Sequence, residues 1–172
     1  MIFVYYDFGG THSTSLAAAF HLGFLSHSES KLTKEQVKTV PYFNKLKKKD
    51  AGHFIFHGID EMGHSVYTLG KRSSKLVIPS LLGFSEVLTE KAGLSERIIF
   101  SNTSPTVPFA MTIGGFFARG LGLNFIGSPL LVIGAKQAGS SIKELVDKTK
   151  ALSLLELRNQ QIVHLTNEEF QA

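Results

Sequence analysis

The sequence predicts an α/β fold: a three-layer, open, mainly parallel sheet with helices on both faces, Rossmann-like or P-loop-like, with a β-hairpin near 53–69. Three observations lead there. Largely apolar runs at Ile2–Tyr6, Ile98–Ser101 and Leu130–Ile133 lack the alternation of a half-exposed strand and suit strands covered on both faces. Apolar residues at helical spacing fill much of the chain between them. Strands alternating with helices then imply one open sheet. At 172 residues the chain is expected to form a single domain, 1–172, large enough to bury a core.

Taken in order, Ile2–Tyr6 is the first strand. Leu16, Ala19, Phe20, Gly23 and Phe24 recur as one helical face, and Ser13 or Thr14 is placed to cap that helix. Leu32 to Val40 reads as a short helix capped by Thr33 and ended near Pro41. His53–Gly58 and Ser65–Leu69 read as strands joined by a hairpin that turns at Gly63. Ser74 to Ala92 is a helix that tolerates Pro79 and is closed by Gly93. Arg97–Asn102 is the next buried strand. Pro108 to Leu121 reads as a helix with a small face at Gly114-Gly115. Leu130–Gly134 reads as a strand, and Ser140 to Leu155 as an amphipathic helix.

Composition narrows the function. The formal charge is +4, part of it from Lys45, Lys47, Lys48 and Lys49. That cluster reads as a solvated loop; no aromatic or glycine-rich RNA-binding pattern accompanies it, which argues against nucleic acid. The absence of cysteine excludes disulfides, thiolate nucleophiles and zinc–thiolate sites. Ile98 to Ala118 is uncharged and long enough to cross a bilayer, but its polar Ser101–Thr106 segment and Pro108 fit a strand, a loop and a buried helix better. The N-terminus reads as neither signal peptide nor span, so a cytoplasmic protein without a membrane partner is expected.

In an open α/β sheet, ligands bind beyond the carboxyl ends of the strands. That makes candidates of three loops: Phe8–Thr14, Asn102–Thr106 and Gly134–Gly139. In the first, Gly9 and Gly10 allow a sharp turn and close approach. The helix start behind them favours an anion, with Thr11, Ser13 and Thr14 as hydroxyl donors. His12 adds an imidazole that can act as general acid or charge partner near neutral pH. Thr103 and Ser104 would form the opposite wall, and Lys136 would meet the same ligand.

Known phosphate motifs do not fit this loop. The P-loop's Lys and first Gly are missing. A haloacid-dehalogenase site would need an Asp where Gly9 stands. Asp7-Phe8-Gly9-Gly10-Thr11 matches the string of sugar kinases, but there the glycines lead into a second strand. Asp60, Glu61 and His64 lie close enough for acid–base or metal chemistry, yet sit in a hairpin turn where polar residues are expected anyway; no metal ligand set is assigned.

Several strings together resemble a family: Gly9-Gly10-Thr11-His12-Ser13, Pro41-Tyr42-Phe43, Gly58-Ile59-Asp60-Glu61 with Gly63, Val66-Tyr67-Thr68-Leu69-Gly70, Thr103-Ser104-Pro105-Thr106 and Ile113-Gly114-Gly115-Phe116. The chain, from Met1 to Lys150, is similar to the bacterial family DUF3189 (domain of unknown function 3189), found mainly in Firmicutes. That resemblance implies a bacterial cytosolic protein and supplies no activity or cofactor. The residues themselves leave two readings: a protein that binds or acts on a phosphorylated small molecule or nucleotide, or a non-catalytic interaction protein in which Phe116, Phe117 and Phe125 could serve a homodimer interface.

Overall fold

The computed structural model describes residues 1–26, 32–154 and 160–170. The elements run β1 (Ile2–Asp7), α1 (Ser13–His21), α2 (Lys34–Thr39), β2 (Ile55–Ile59), β3 (Ser65–Gly70), α3 (Val77–Ala92), β4 (Ile98–Asn102), α4 (Phe109–Gly115), α5 (Asn124–Leu154) and β5 (Ile162–Leu165). The strands form a five-stranded sheet in the order β2-β3-β1-β4-β5. β1 lies parallel between β3 and β4, and β5 adds parallel to β4. β2 is antiparallel to β3, closing the expected hairpin.

The apolar run of β1 is buried on both faces, as a central strand requires. Phe3 and Tyr5 enter a large core with residues of α1, α4 and α5. Val4 and Tyr6 enter a smaller core with Leu69, Phe100 and Ile78 of α3. Helices therefore cover both faces. Thr33 caps α2 through a reciprocal bond with Gln36, as its sequence suggests. Gly93 closes α3 with φ 66°. No helix among the described residues is long and apolar enough to cross a membrane.

Three expectations are corrected. Leu130–Ile133 is not a strand; it lies inside the 31-residue α5. A run of four apolar residues carries no period of its own, and the flanking pattern decides: Gly127, Leu131, Gly134, Ala138, Ile142, Leu145 and Thr149 form one buried helical stripe straight through it. Leu155, the expected end of this helix, lies outside the described residues. The fifth strand comes instead from Ile162–Leu165. The helix expected over Pro108–Leu121 breaks into α4 and a π turn at Phe116–Gly120, where the Leu121 amide bonds to Phe116 O at 3.1 Å. Finally, neither Ser13 nor Thr14 caps α1: His12 is the N-cap residue, and its side chain makes no capping bond.

Close backbone contact explains the glycines that matter most. α4 and α5 touch main chain to main chain: a Cβ on Gly134 would lie 2.6 Å from Met111 N, and one on Gly127 2.7 Å from Gly114 O. Gly10, at φ +70°, passes so near the end of β3 that a Cβ would sit 2.5 Å from Gly70 N. Gly63 has a similar φ of +82° but open space around it. Gly63→Ala should therefore cost only left-handed strain, ~1–2 kcal/mol. Gly10→Ala adds a backbone clash and should cost ~2–5 kcal/mol. Urea unfolding midpoints of the two variants test the difference.

Candidate functional site

The carboxyl ends of β1, β3 and β4 meet at one rim, and the Phe8–His12 loop is tied down there by a buried carboxylate. Asp7 accepts hydrogen bonds from the Gly10 amide and from Ser13 Oγ at 2.7 Å. Ser13 Oγ also meets Thr103 Oγ1 at 2.9 Å. Thr103 Oγ1 also donates to Tyr6 O at 3.3 Å. Burial raises the Asp7 carboxyl above its ordinary range, while the Gly10 amide, the Ser13 hydroxyl and the Gly9 amide oppose the rise. Two of the candidate loops are thus knitted together through side chains.

Thr11 fastens a third segment. Its hydroxyl donates to Tyr42 O at 2.8 Å and accepts from Leu46 N at 3.3 Å, and its carbonyl accepts from Asn44 N. Tyr42 and Asn44 hold φ of 60° and 53°, a conformation non-glycine residues seldom adopt, so this loop is held against a local cost. Its result is the placement of Asn44, whose Oδ1 accepts from Arg119 Nε at 2.8 Å and faces His12 Nε2 at 3.3 Å. An acceptor opposite Nε2 fixes the proton there and leaves Nδ1 with a free lone pair. Gly115 makes room for the ring: a Cβ there would stand 3.4 Å from His12 Cε1. Burial lowers the His12 pKa to about 4, with Arg119 adding to the effect and the Asn44 bond opposing it. The free ring is therefore neutral at physiological pH, and the general-acid or charge-partner role expected from sequence requires a bound anion to raise its pKa.

These parts enclose a cleft of about 780 Å³. Gly9, Thr11, His12 and Ser104 line it, and so do Lys47, Lys48, Arg72 and Arg119. Asp7 is the one carboxylate among the described residues lining it. Burial and nearby Arg72 both work against the Arg119 charge, with Asp50 favouring it between them. Arg119 Nη2 is buried without a hydrogen-bond partner, as are the hydroxyls of Thr14 and Ser15 at the start of α1. The first bond within α1 runs from Leu16 N to His12 O at 3.0 Å, so the amides before it are open donors. The Thr14 and Ser15 hydroxyls lie behind the cleft wall, but the cluster of Arg119, Arg72, Lys47 and Lys48 around the cleft makes this a place where an anion is favoured.

Of the residues expected from sequence, Gly9, Thr11, His12 and Ser104 share the cleft wall. Gly10, Ser13 and Thr103 lie just behind it and build the loop, while the buried Thr14 hydroxyl has no partner and does not line the cleft. Lys136 is exposed on α5 and away from the cleft, because the strand expected to deliver it is helix. Sequence reasoning missed Arg72, Arg119 and Asn44. The Lys47-Lys48 pair, read as a solvated loop, borders the cleft.

A second polar group links β1 and the end of α1 to the β2–β3 turn. Tyr5 Oη meets His21 Nδ1 at 2.7 Å, and His21 Nε2 meets Asp60 Oδ2 at 3.1 Å. His64 Nδ1 joins at 3.2 Å. Burial pushes the Asp60 carboxyl up, but the His64 amide, the His21 ring and the Met62 amide outweigh it and hold the pKa at about 2. Burial still lowers the His21 pKa to about 4 despite this partner. The group ties the end of α1 to the β2–β3 turn and does not line the cleft.

His12, His21 and His57 are each held to a pKa of about 4 by burial. In the unfolded chain each takes up a proton near pH 6.5, so the unfolded state binds more protons between those values and stability falls as pH falls through that window. Asp7, with its raised pKa, works in the opposite direction. Each ring should withdraw ~2–3 kcal/mol by about pH 4.5. Urea unfolding at neutral and acid pH should show the loss, and His12→Gln should reduce it by one such share.

A family model described as "Protein of unknown function (DUF3189)" matches residues 2–151. No curated protein and no solved structure matches the chain. With the match spanning most of the sequence, the chain belongs to the DUF3189 family.

Proposed function

We propose that the protein binds a phosphorylated small molecule in this cleft, with the phosphate at the Gly9–His12 loop and Arg119. The carrying observation is the set of four cationic side chains, Arg119, Arg72, Lys47 and Lys48, that line one cleft, with Arg119 Nη2 left without a protein partner. His12 Nδ1 is positioned to accept from a protonated phosphate oxygen or a ligand hydroxyl. Ser104, exposed at the end of β4, supplies a hydroxyl on the facing wall. The sheet order, with β1 central and its loop feeding a helix, supports extending the reading to the doubly wound nucleotide-binding folds, whose ligands sit at this rim.

A second reading, a protein-interaction role, draws on Phe109 and Phe125, which are 79% and 76% exposed. The cleft's concentration of cations favours the first.

A thermal-shift series with orthophosphate, ribose 5-phosphate and neutral ribose tests it, because a ligand of the folded state raises the melting temperature. The phosphates should stabilise the protein and ribose should not. Arg119→Gln removes a charge-assisted hydrogen bond and should weaken phosphate binding roughly tenfold or more. If no phosphate compound shifts the melting curve, the reading is wrong.

Sulfate, which does not titrate here, isolates His12. A bound anion raises the ring's pKa from about 4, so sulfate should tighten as pH falls through the raised value. Affinity should change little from about pH 8 to 6 and rise below that, with His12→Gln removing the rise. Calorimetric titration across this range reads both.

A further inference from the structure

We propose that the ligand carries a planar aromatic ring as well as a phosphate, making the cleft a mononucleotide site; this rests on the phosphate reading above. A volume of about 780 Å³ falls in the range of pockets that enclose drug-sized molecules, and a lone phosphate would leave most of it to water.

The wall divides into two parts. His12, Arg72, Arg119 and the Lys47-Lys48 pair form a cationic part, while Val107, Met111, Phe116 and Ala118 add apolar surface from the segment after β4. A ligand that is anionic throughout would leave that apolar surface without a partner.

Phe8 and Phe116 both line the cleft, and they are 57% and 59% exposed. Each is anchored. The Arg72 amide donates to Phe8 O at 2.9 Å, and the Arg72 guanidinium lies 5.8 Å from the centre of the Phe8 ring. The Phe116 ring lies against Gly120, where a Cβ would come within 3.3 Å of Cδ2, and edge-on to Phe117 at 5.8 Å. Held, half-exposed rings, one with a guanidinium over its face, recognise another π system better than they recognise an alkyl chain. Phe116 and Arg119 belong to one π turn, so a single short segment presents a ring and an anion-binding group to the same cleft.

The experiment compares AMP, GMP, CMP and UMP with ribose 5-phosphate and octyl phosphate, by calorimetry on wild type, Phe116→Ala, Phe8→Ala and Arg119→Gln. At least one mononucleotide should bind roughly 5- to 100-fold more tightly than ribose 5-phosphate, the span that base stacking provides. Phe116→Ala or Phe8→Ala should shrink that ratio, while Arg119→Gln should lower nucleotide and ribose 5-phosphate affinity by a similar factor. If ribose 5-phosphate binds as tightly as every nucleotide, the phosphate reading stands and the aromatic inference is overturned. Octyl phosphate matching the best nucleotide, or a ratio unmoved in both phenylalanine variants, overturns it as well. Failure of every phosphate compound to bind defeats both claims.

Discussion

A carboxylate taken out of water at the end of the central strand organises the rim of this sheet. Asp7 is only 6% exposed, and an ion so placed persists only where hydrogen bonds replace its hydration. They come from the loop that follows it and from Ser13 at the start of α1. The loop is therefore curled around its own strand end, and Ser13 passes the constraint on to Thr103 beyond β4. Gly10 is forced into a left-handed turn against Gly70, so β3 is fixed in the same act. Three strand ends, one helix start and the cleft floor share one electrostatic cause.

The parts of the fold legible in sequence were those with a pattern of their own. β1 and β4 open with unbroken apolar runs, Ile2–Tyr6 and Ile98–Phe100, and the hairpin carries its glycine at the turn. Leu130–Ile133 had no such autonomy, since its conformation is decided by small residues a turn away on either side that let α5 press against α4. β5 was missed because Ile162–Leu165 is four residues long and becomes a strand by pairing with β4. Local propensity is weak against that kind of tertiary pairing.

The site was legible in the same uneven way. A glycine-rich loop after a buried strand located one wall of the cleft. The hydroxyls that made the loop look like a ligand cradle are largely consumed in holding it: Thr11 binds the Tyr42–Leu46 segment and Ser13 binds Asp7 and Thr103. Arg119 and Asn44 stand far from that loop in sequence and meet His12 only through the fold. No spacing rule reaches across such intervals. The sequence singles out His12 but carries no sign of its lowered pKa, because enclosure by Phe43, Gly115 and Arg119 is a property of the packed site.

The strand order has a consequence for how the molecule comes into being. β1 leaves the ribosome first, yet its neighbours are Ser65–Gly70 and Ile98–Asn102, tens of residues later in the chain. Until both have emerged, a strand apolar from Ile2 to Tyr6 is held without partners, exposing the kind of edge that captures other chains. Pairings this distant pay their loop-closure entropy before they return any stabilisation, which makes such sheets slow to assemble. The Asp7 loop cannot close until β4 arrives with Thr103, so the cleft is a late product of synthesis. Nascent chains shorter than about the first hundred residues lack the means to form it.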